Sequence, residues 1–362
     1  MNPLDALVLT ASAALWMTAL LVAGSALVAW ALPKLAPAAT RVLMRQAIGA
    51  GLLGIVAVVV FVLVQAMMLG GGVGWPDPFL LDMILDSPQG QRAAWIVAGV
   101  VLVLAAMVAL ARQGCGSAPD PGPASRDERL SSRDTASGHA TVGQPGDPLA
   151  VDPAQPRCDR SAAIRLWRVA LAAAGAMLIH VGFTQTGHTV REPRVLLALI
   201  LWGHLAAVAF WLASLWPLHQ AVRVVPPDVP SLQRFGRIAT VVVTWLVLAG
   251  GALVVWLSNE GLMAVASDPR ALWAVEWLRW LTLKLILVAV LLGLAAVNRW
   301  WWVPRLAAAD ALHDDGVASP SHGPGRTAQR ALRASITLEF ILFLLILFTT
   351  AAMLTHPPMG KV

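Results

Sequence analysis

Residues 199–217 read Leu-Ile-Leu-Trp-Gly-His-Leu-Ala-Ala-Val-Ala-Phe-Trp-Leu-Ala-Ser-Leu-Trp-Pro, an apolar run that contains a single imidazole, His204. Runs of about 20 apolar residues cross the hydrocarbon core of a bilayer as helices. The preceding residues 177–188 read Met-Leu-Ile-His-Val-Gly-Phe-Thr-Gln-Thr-Gly-His and supply His180 and His188. Because polar side chains at membrane depth are costly unless they face a protein interior, these histidines predict a functional site.

The composition of the whole chain is typical of a membrane protein. Of 362 residues, 58% are hydrophobic and 13% are charged, and the mean hydropathy is +0.70, which lies outside the range of soluble domains. The net charge of +6 arises from Lys and Arg between the apolar runs. This pattern indicates membrane topology, so the expected partner is the lipid bilayer and not nucleic acid.

Eight apolar segments meet or approach the length of a membrane-spanning helix, and the predicted fold is therefore an all-α, polytopic membrane helix bundle. The amino terminus has no basic region ahead of its apolar run, so this run is expected to be a first span and not a signal peptide. The predicted spans are 7–32, 48–69, 94–111, 163–183, 195–218, 238–257, 277–298 and 336–355.

The distribution of Lys and Arg predicts the orientation. The 33–47 and 219–237 connections each carry three basic residues, whereas the 70–93 connection carries Arg92 against three Asp. Short basic connections face the cytoplasm. Both termini and the connection 184–194 are therefore expected to face the periplasm or the cell exterior.

Three regions are predicted along the chain: a three-helix membrane region at 1–112, a disordered cytoplasmic linker at 113–162 and a five-helix membrane domain at 163–362. Residues 113–160 are rich in Pro, Gly, Ser, Asp and Arg, and cannot bury enough apolar surface to fold. The two cysteines, Cys115 and Cys158, fall here without a CxxC spacing, so no zinc or redox motif is expected.

Spans 1–3 and spans 5–7 follow the same plan, with a basic turn after the first span and an aspartate-containing outer loop after the second. One added helix between the two triplets keeps their orientation equal. This arrangement predicts a parallel three-helix repeat about an axis along the membrane normal.

The histidines are expected at successive depths. His188 lies in an outer turn, His180 near the outer end of span 4, and His204 roughly 15 Å below the surface at the helical rise. This spacing favours separate stations along a path over one chelate. Imidazole and thioether ligands suit copper, and the expected outer-half ligands also include Met177 and His356.

A haem-binding membrane redox protein is an alternative, because His180 and His204 on neighbouring helices could act as axial ligands. Two ionisable residues lie within the second half. Lys284 is expected to border or gate the cation route. Glu339 lies near Asn298, Arg299 and Arg305, which predicts an ion pair that locks the last two spans together.

No nucleotide-binding loop, nucleophile elbow, HExxH motif or pair of catalytic carboxylates is present in the sequence, so an enzyme is not expected. The Gly-rich run 70–74 follows a predicted helix and not a strand. It is therefore expected to form an outer turn.

Several motifs occur in the order found in one family. They are Thr186-Gly-His188, His204-Leu-Ala-Ala-Val-Ala-Phe-Trp211 followed by Leu215-Trp-Pro-Leu218, Leu283-Lys284-Leu with Asn298-Arg299, and Glu339 followed by Leu354-Thr-His-Pro-Pro358. Over about 180–358 the chain resembles bacterial copper resistance D proteins. It differs at Ala213-Ser214, where a Gly-Gly pair commonly follows the tryptophan, and in its long 113–160 insertion.

The resemblance implies a polytopic inner-membrane protein that mediates copper uptake or resistance, often beside a separate periplasmic copper-binding protein. It implies His188 and His204 as the first residues to test. A scaffold for the assembly of a copper-dependent oxidase is a further alternative.

Overall fold

The computed structural model describes residues 3–71, 75–114, 160–185, 193–257, 263, 267–268, 270, 275–314 and 324–355. Helices account for almost all of these residues, and no strand occurs among them. The all-α fold expected from the sequence is confirmed. The predicted linker lies almost entirely outside the described residues.

The helices are numbered in chain order. They are α1 (Pro3–Ala31), α2 (Pro37–Leu69), α3 (Pro78–Leu85), α4 (Pro88–Gly114), α5 (Arg160–Thr184), α6 (Arg194–Arg223), α7 (Val229–Leu257), α8 (Glu276–Val297), a π-helical segment (Asn298–Trp302), α9 (Val303–Asp314) and α10 (Pro324–Thr355).

Eight of the described helices are long and apolar enough to cross a membrane, as predicted. Three of them begin well before the predicted apolar spans: α2 at Pro37, α7 at Val229 and α10 at Pro324. The extra turns are polar and basic, so hydropathy alone does not detect them. We call the end of the bundle with the α1–α2 and α6–α7 connections the inner end, and the opposite end the outer end.

Helix α1 lies at the centre of the bundle and packs against α2, α4, α5, α6 and α10. Helices α4 and α5 approach each other closely and cross at Gly99 and Gly175. A Cβ atom added to Gly175 would lie 2.7 Å from the carbonyl oxygen of Gly99. Small residues at such crossings allow close backbone approach, which favours helix association in membranes.

A second close approach joins α1 and α6. A Cβ atom on Gly24 would lie 2.7 Å from the Cβ atom of Ala213 and would overlap the carbonyl of Ala209. The glycine that permits this contact is on α1. Close packing is thus achieved although α6 carries Ala213 and Ser214, and not glycines, at this crossing.

A proline inside α6 changes its hydrogen bonding at the same level. Pro217 has no N–H group, so the carbonyl of Ala213, four residues earlier, loses its helical donor. Gln46 of α2 replaces that donor, and its Nε2 atom donates to the Ala213 oxygen at 3.0 Å. The side chain of Gln46 therefore ties α2 to the Pro-containing part of α6.

Helix α8 lies at the edge of the bundle and packs chiefly on α10. Near the outer end, Trp277, Leu278 and Leu281 form a small core with Val254 of α7 and Met353 of α10. The first triplet packs differently, since α2 contacts both α1 and α4. The three-helix repeat remains a prediction.

Candidate functional site

His204 lies in the third turn of α6 and faces α7. A Cβ atom on Gly250 would lie 3.2 Å from Cε1 of His204 and 3.5 Å from its Nδ1 atom, so the ring rests directly on the α7 backbone. The ring also lies close to the backbone of Leu246. Nδ1 is buried and has no hydrogen-bond partner among the described residues. An unused imidazole nitrogen inside the bundle is a potential metal ligand.

Lys284 of α8 is half-buried, and its charge is close enough to act on His204. While the Lys284 amine is protonated, its positive charge opposes the binding of another cation at His204. That Lys284 borders a cation route remains a prediction.

His180 of α5 is buried, with 1% of its surface exposed. Its Nδ1 atom is 2.6 Å from the carbonyl oxygen of Ala176, and its Nε2 atom is buried without a partner. The ring meets the Trp202 indole edge-on, with centroids 6.0 Å apart, and lies near the backbone of Leu205. His180 is therefore at the level of His204.

The two histidines nevertheless have different surroundings, because His180 contacts α6 at positions 202 and 205 whereas His204 contacts α7. Among the described residues, no group of three or more His, Cys, Asp or Glu side chains could hold a metal ion. The two rings therefore face different helices, and their role as separate metal stations remains a prediction.

The other predicted ligands are placed as follows. Met177 is 55% exposed on the outside of α5, so its thioether faces the surroundings of the bundle and not its interior. His188 and His356 lie outside the described residues, and their part in the site remains a prediction.

Glu339 joins three elements at a buried junction. The Nε1 atom of Trp211, on α6, donates to Oε2 at 3.3 Å, and the Nδ2 atom of Asn298, in the π-helical segment, donates to Oε1 at 2.6 Å. Only 4% of Glu339 is exposed. The Trp211 ring also meets Phe343 edge-on, with centroids 5.5 Å apart.

The predicted ion pair of Glu339 is wrong, because the groups that bind its carboxylate are a neutral amide and a neutral indole. Arg299 packs instead against α7, where a Cβ atom on Gly236 would lie 2.9 Å from its Cδ atom. Arg305 lies over the Trp301 ring at 3.5 Å. Neighbouring residues on a helix point in different directions, so Asn298 can face inward while Arg299 does not.

A buried cation that the sequence did not single out lies in the first half of the chain. Arg92, expected in an outer loop, is in the second turn of α4 and only 7% exposed. Its guanidinium lies 5.0 Å from the ring of Phe183, 5.3 Å from Phe61 and 5.7 Å from Trp16. Spacing does not reveal this cage, because its rings come from three other helices.

The described residues form a multi-pass helical membrane protein with two histidines whose ring nitrogens are buried towards its outer end, and a buried carboxylate junction nearer its inner end.

A comparison with protein families finds a match in the second half of the chain. The model of the family described as "Copper resistance protein D" matches residues 229–353, from α7 into α10. The resemblance predicted from the sequence is confirmed over this segment. No curated protein and no solved structure matches the chain. Lys284, Asn298 and Glu339 lie within the matched residues, whereas His204 lies before them.

Proposed function

We propose that the protein moves copper ions across the bacterial inner membrane, from the periplasm to the cytoplasm, in copper homeostasis and resistance. The match to the copper resistance protein D family supports a role in copper handling. The transport hypothesis depends on one observation, the buried Nδ1 atom of His204, which has no hydrogen-bond partner among the described residues. The His204 ring packs against Gly250 of α7, and Gly250 belongs to the matched segment.

The proposed path begins at the outer end. His188 and His356 receive copper there, directly or from a separate periplasmic copper-binding protein, and His204 is the next station. Imidazole is a suitable ligand for copper in either oxidation state. His180 serves as a neighbouring station through its unpartnered Nε2 atom. Passage is facilitated, and the protein is not proposed to act as an enzyme.

Lys284 is proposed as a gating residue. A cation bound at His204 would be repelled by the nearby ammonium, which limits how long copper rests at this station. His204 and Lys284 together therefore do not form a tight copper-binding site. Weak binding at each station is a requirement for rapid passage.

Replacing His204 tests the proposal. We expect His204→Ala to lower cellular copper accumulation several-fold at equal expression, because it removes the buried ligand. His219→Ala is the matched control, since His219 is on the same helix but stacks on Trp216 with ring centroids 5.2 Å apart. Unchanged accumulation in His204→Ala would contradict the proposal.

A second pair of variants leaves every histidine in place. Gly250→Ala would put a Cβ atom 3.2 Å from the His204 ring, whereas the neighbouring Gly251 has open space around its Cα atom. We expect Gly250→Ala to reduce copper accumulation and Gly251→Ala to leave it unchanged. Equal effects of the two substitutions would indicate that His204 is not on the path.

His180 and His204 lie at the same depth in the bundle, and this observation favours haem binding as a second candidate function. Their different neighbours argue against a shared iron. The absorption spectrum of the purified protein decides, because bound haem would give a Soret band that His204→Ala weakens. A role as a scaffold for copper-oxidase assembly would instead appear as lost oxidase activity with normal copper uptake.

A further inference from the structure

The carboxylate junction around Glu339 lies on the same side of α6 as His204. Trp211 follows His204 by seven residues, which corresponds to about 20° around the helix and roughly 10 Å along it. An ion that leaves His204 along this side of α6 therefore approaches Trp211 and the carboxylate that its indole holds.

Among the residues that the structure describes, Glu339 has no cationic partner, although basic residues occur on most of the elements around it. On α10 itself, Arg330 lies more than two turns from Glu339 towards the inner end, and Arg333 lies just under two turns away in the same direction. On α6, His219 and Arg223 lie at the inner end of the helix. Lys284 is in the outer half of α8, and Arg299 and Arg305 contact Gly236 and Trp301 instead. On α1, the acidic residue Asp5 lies in the first turn, at the outer end. Within the described part of the chain, the polar contacts of Glu339 are Trp211 and Asn298.

A buried carboxylate without a cation is costly at membrane depth, and a bound proton removes that cost. The amide of Asn298 can serve both forms of the acid. Its Nδ2 atom donates to the charged carboxylate, and its Oδ1 atom, which is buried without a partner, could accept from a protonated Glu339 after rotation of the amide.

Along the described part of α10, the side of the helix that carries Glu339 has a polar neighbour towards the inner end and apolar neighbours towards the outer end. Ser335 lies one helical turn before Glu339 on the same side of α10, and its buried hydroxyl has no hydrogen-bond partner. Towards the outer end, the corresponding positions are Phe343 and Leu347, which are both buried. A proton can therefore reach Glu339 more readily from the inner end than from the outer end.

We propose that Glu339 is a proton-binding site that exchanges with the cytoplasm by way of Ser335, and that copper in passage displaces its proton. This inference rests on the proposed function for its second part. In the exchange, the carboxylic O–H bond breaks and the proton leaves to cytoplasmic water. The carboxylate then balances the charge of the copper ion until the ion departs, and it takes up a proton again.

Infrared difference spectroscopy of the full-length protein in lipid nanodiscs tests the proton site without copper. A pH change should alter the carbonyl stretch of a protonated carboxylic acid, and Glu339→Gln should abolish that band. Gln keeps a similar shape and retains an acceptor for Trp211. The control is Glu276→Gln, because Glu276 lies in an exposed pair with Arg279 at 4.0 Å. A band that survives in Glu339→Gln, or its absence at every pH in the wild type, would overturn the proton site.

The proposed route and the link to copper have separate readouts. Ser335→Ala should slow the deuterium shift of the band several-fold, and an unchanged rate would refute the route. Addition of Cu²⁺, or of copper reduced by ascorbate, should diminish the band in the wild type. A protein that transports copper while the band stays constant would disprove the displacement. Failure of the proposed function would appear differently, as no copper uptake with a normal pH-dependent band.

Discussion

Asn298, Trp211 and Glu339 form the junction that connects α6 and the α8–α9 boundary to α10. The sequence located Glu339 within an apolar span and placed it near Asn298, but it also predicted an arginine partner. Trp211 is 128 positions from Glu339, so no local pattern predicts their contact. What could be predicted at the residue scale was which side chains are chemically unusual for their surroundings, and not which partners they have.

Removal of the Asn298 amide should weaken the junction. We expect Asn298→Leu to destabilise the protein by about 1–3 kcal/mol, because a buried carboxylate oxygen loses its donor. Trp211→Phe should cost less, about 1 kcal/mol, since its hydrogen bond is longer and the ring contact with Phe343 is retained. Thermal unfolding in detergent measures both effects.

Thr337→Val provides the control for these substitutions, because Thr337 is on the exposed side of α10 and bonds to its own helix at Arg333. Its unfolding temperature should stay close to that of the wild type. If Asn298→Leu unfolded at the wild-type temperature, the hydrogen bond to Glu339 would not stabilise the fold.

At the level of helices, apolar length predicted the spans because a bilayer demands about 20 apolar residues wherever a helix crosses it. The starts of α2, α7 and α10 were missed because their first turns are basic and need no apolar surroundings. The short helix α3 and the π-helical segment were also missed. Such elements depend on local capping and packing, which hydropathy does not report.

The crossing of α1 and α6 depends on the absence of one side chain. Gly24→Ala should destabilise the bundle by about 1–3 kcal/mol, because the new methyl group would overlap the carbonyl of Ala209 and crowd Ala213. Gly49→Ala on α2 is a matched control, since nothing lies within 4 Å of its added Cβ atom. Thermal unfolding in detergent compares the two variants. Equal unfolding temperatures for Gly24→Ala and Gly49→Ala would show that α1 can shift without loss of stability.

For the whole molecule, composition was sufficient to predict a multi-pass membrane protein. A chain with this mean hydropathy is more apolar than soluble domains are, so its surface is expected to face lipid. The copper-related family could be predicted from the order of motifs around Lys284, Asn298-Arg299 and Glu339. Helix neighbours could not, because many arrangements of eight apolar helices bury similar areas. The central place of α1 and the peripheral place of α8 are set by close contacts such as that at Gly24.

The orientation in the membrane is open to a direct test. In a variant without native cysteines, Asp82→Cys on α3 should react with a membrane-impermeant maleimide in intact spheroplasts. Lys34→Cys, in the basic α1–α2 connection, should react after permeabilisation only. Both positions are exposed, so differences in burial do not affect the comparison. The reverse labelling pattern would invert the predicted topology and the direction of the proposed path.

The close pairing of α4 and α5 has a consequence for the length of the chain between them. Helix packing at Gly99 and Gly175 fixes the relative positions of the two helices that this segment joins. The entropy of closing a chain between two fixed points grows only with the logarithm of its length. The polar stretch between residues 114 and 160 can therefore lengthen or shorten over generations at little thermodynamic cost, while the membrane bundle on either side of it is preserved.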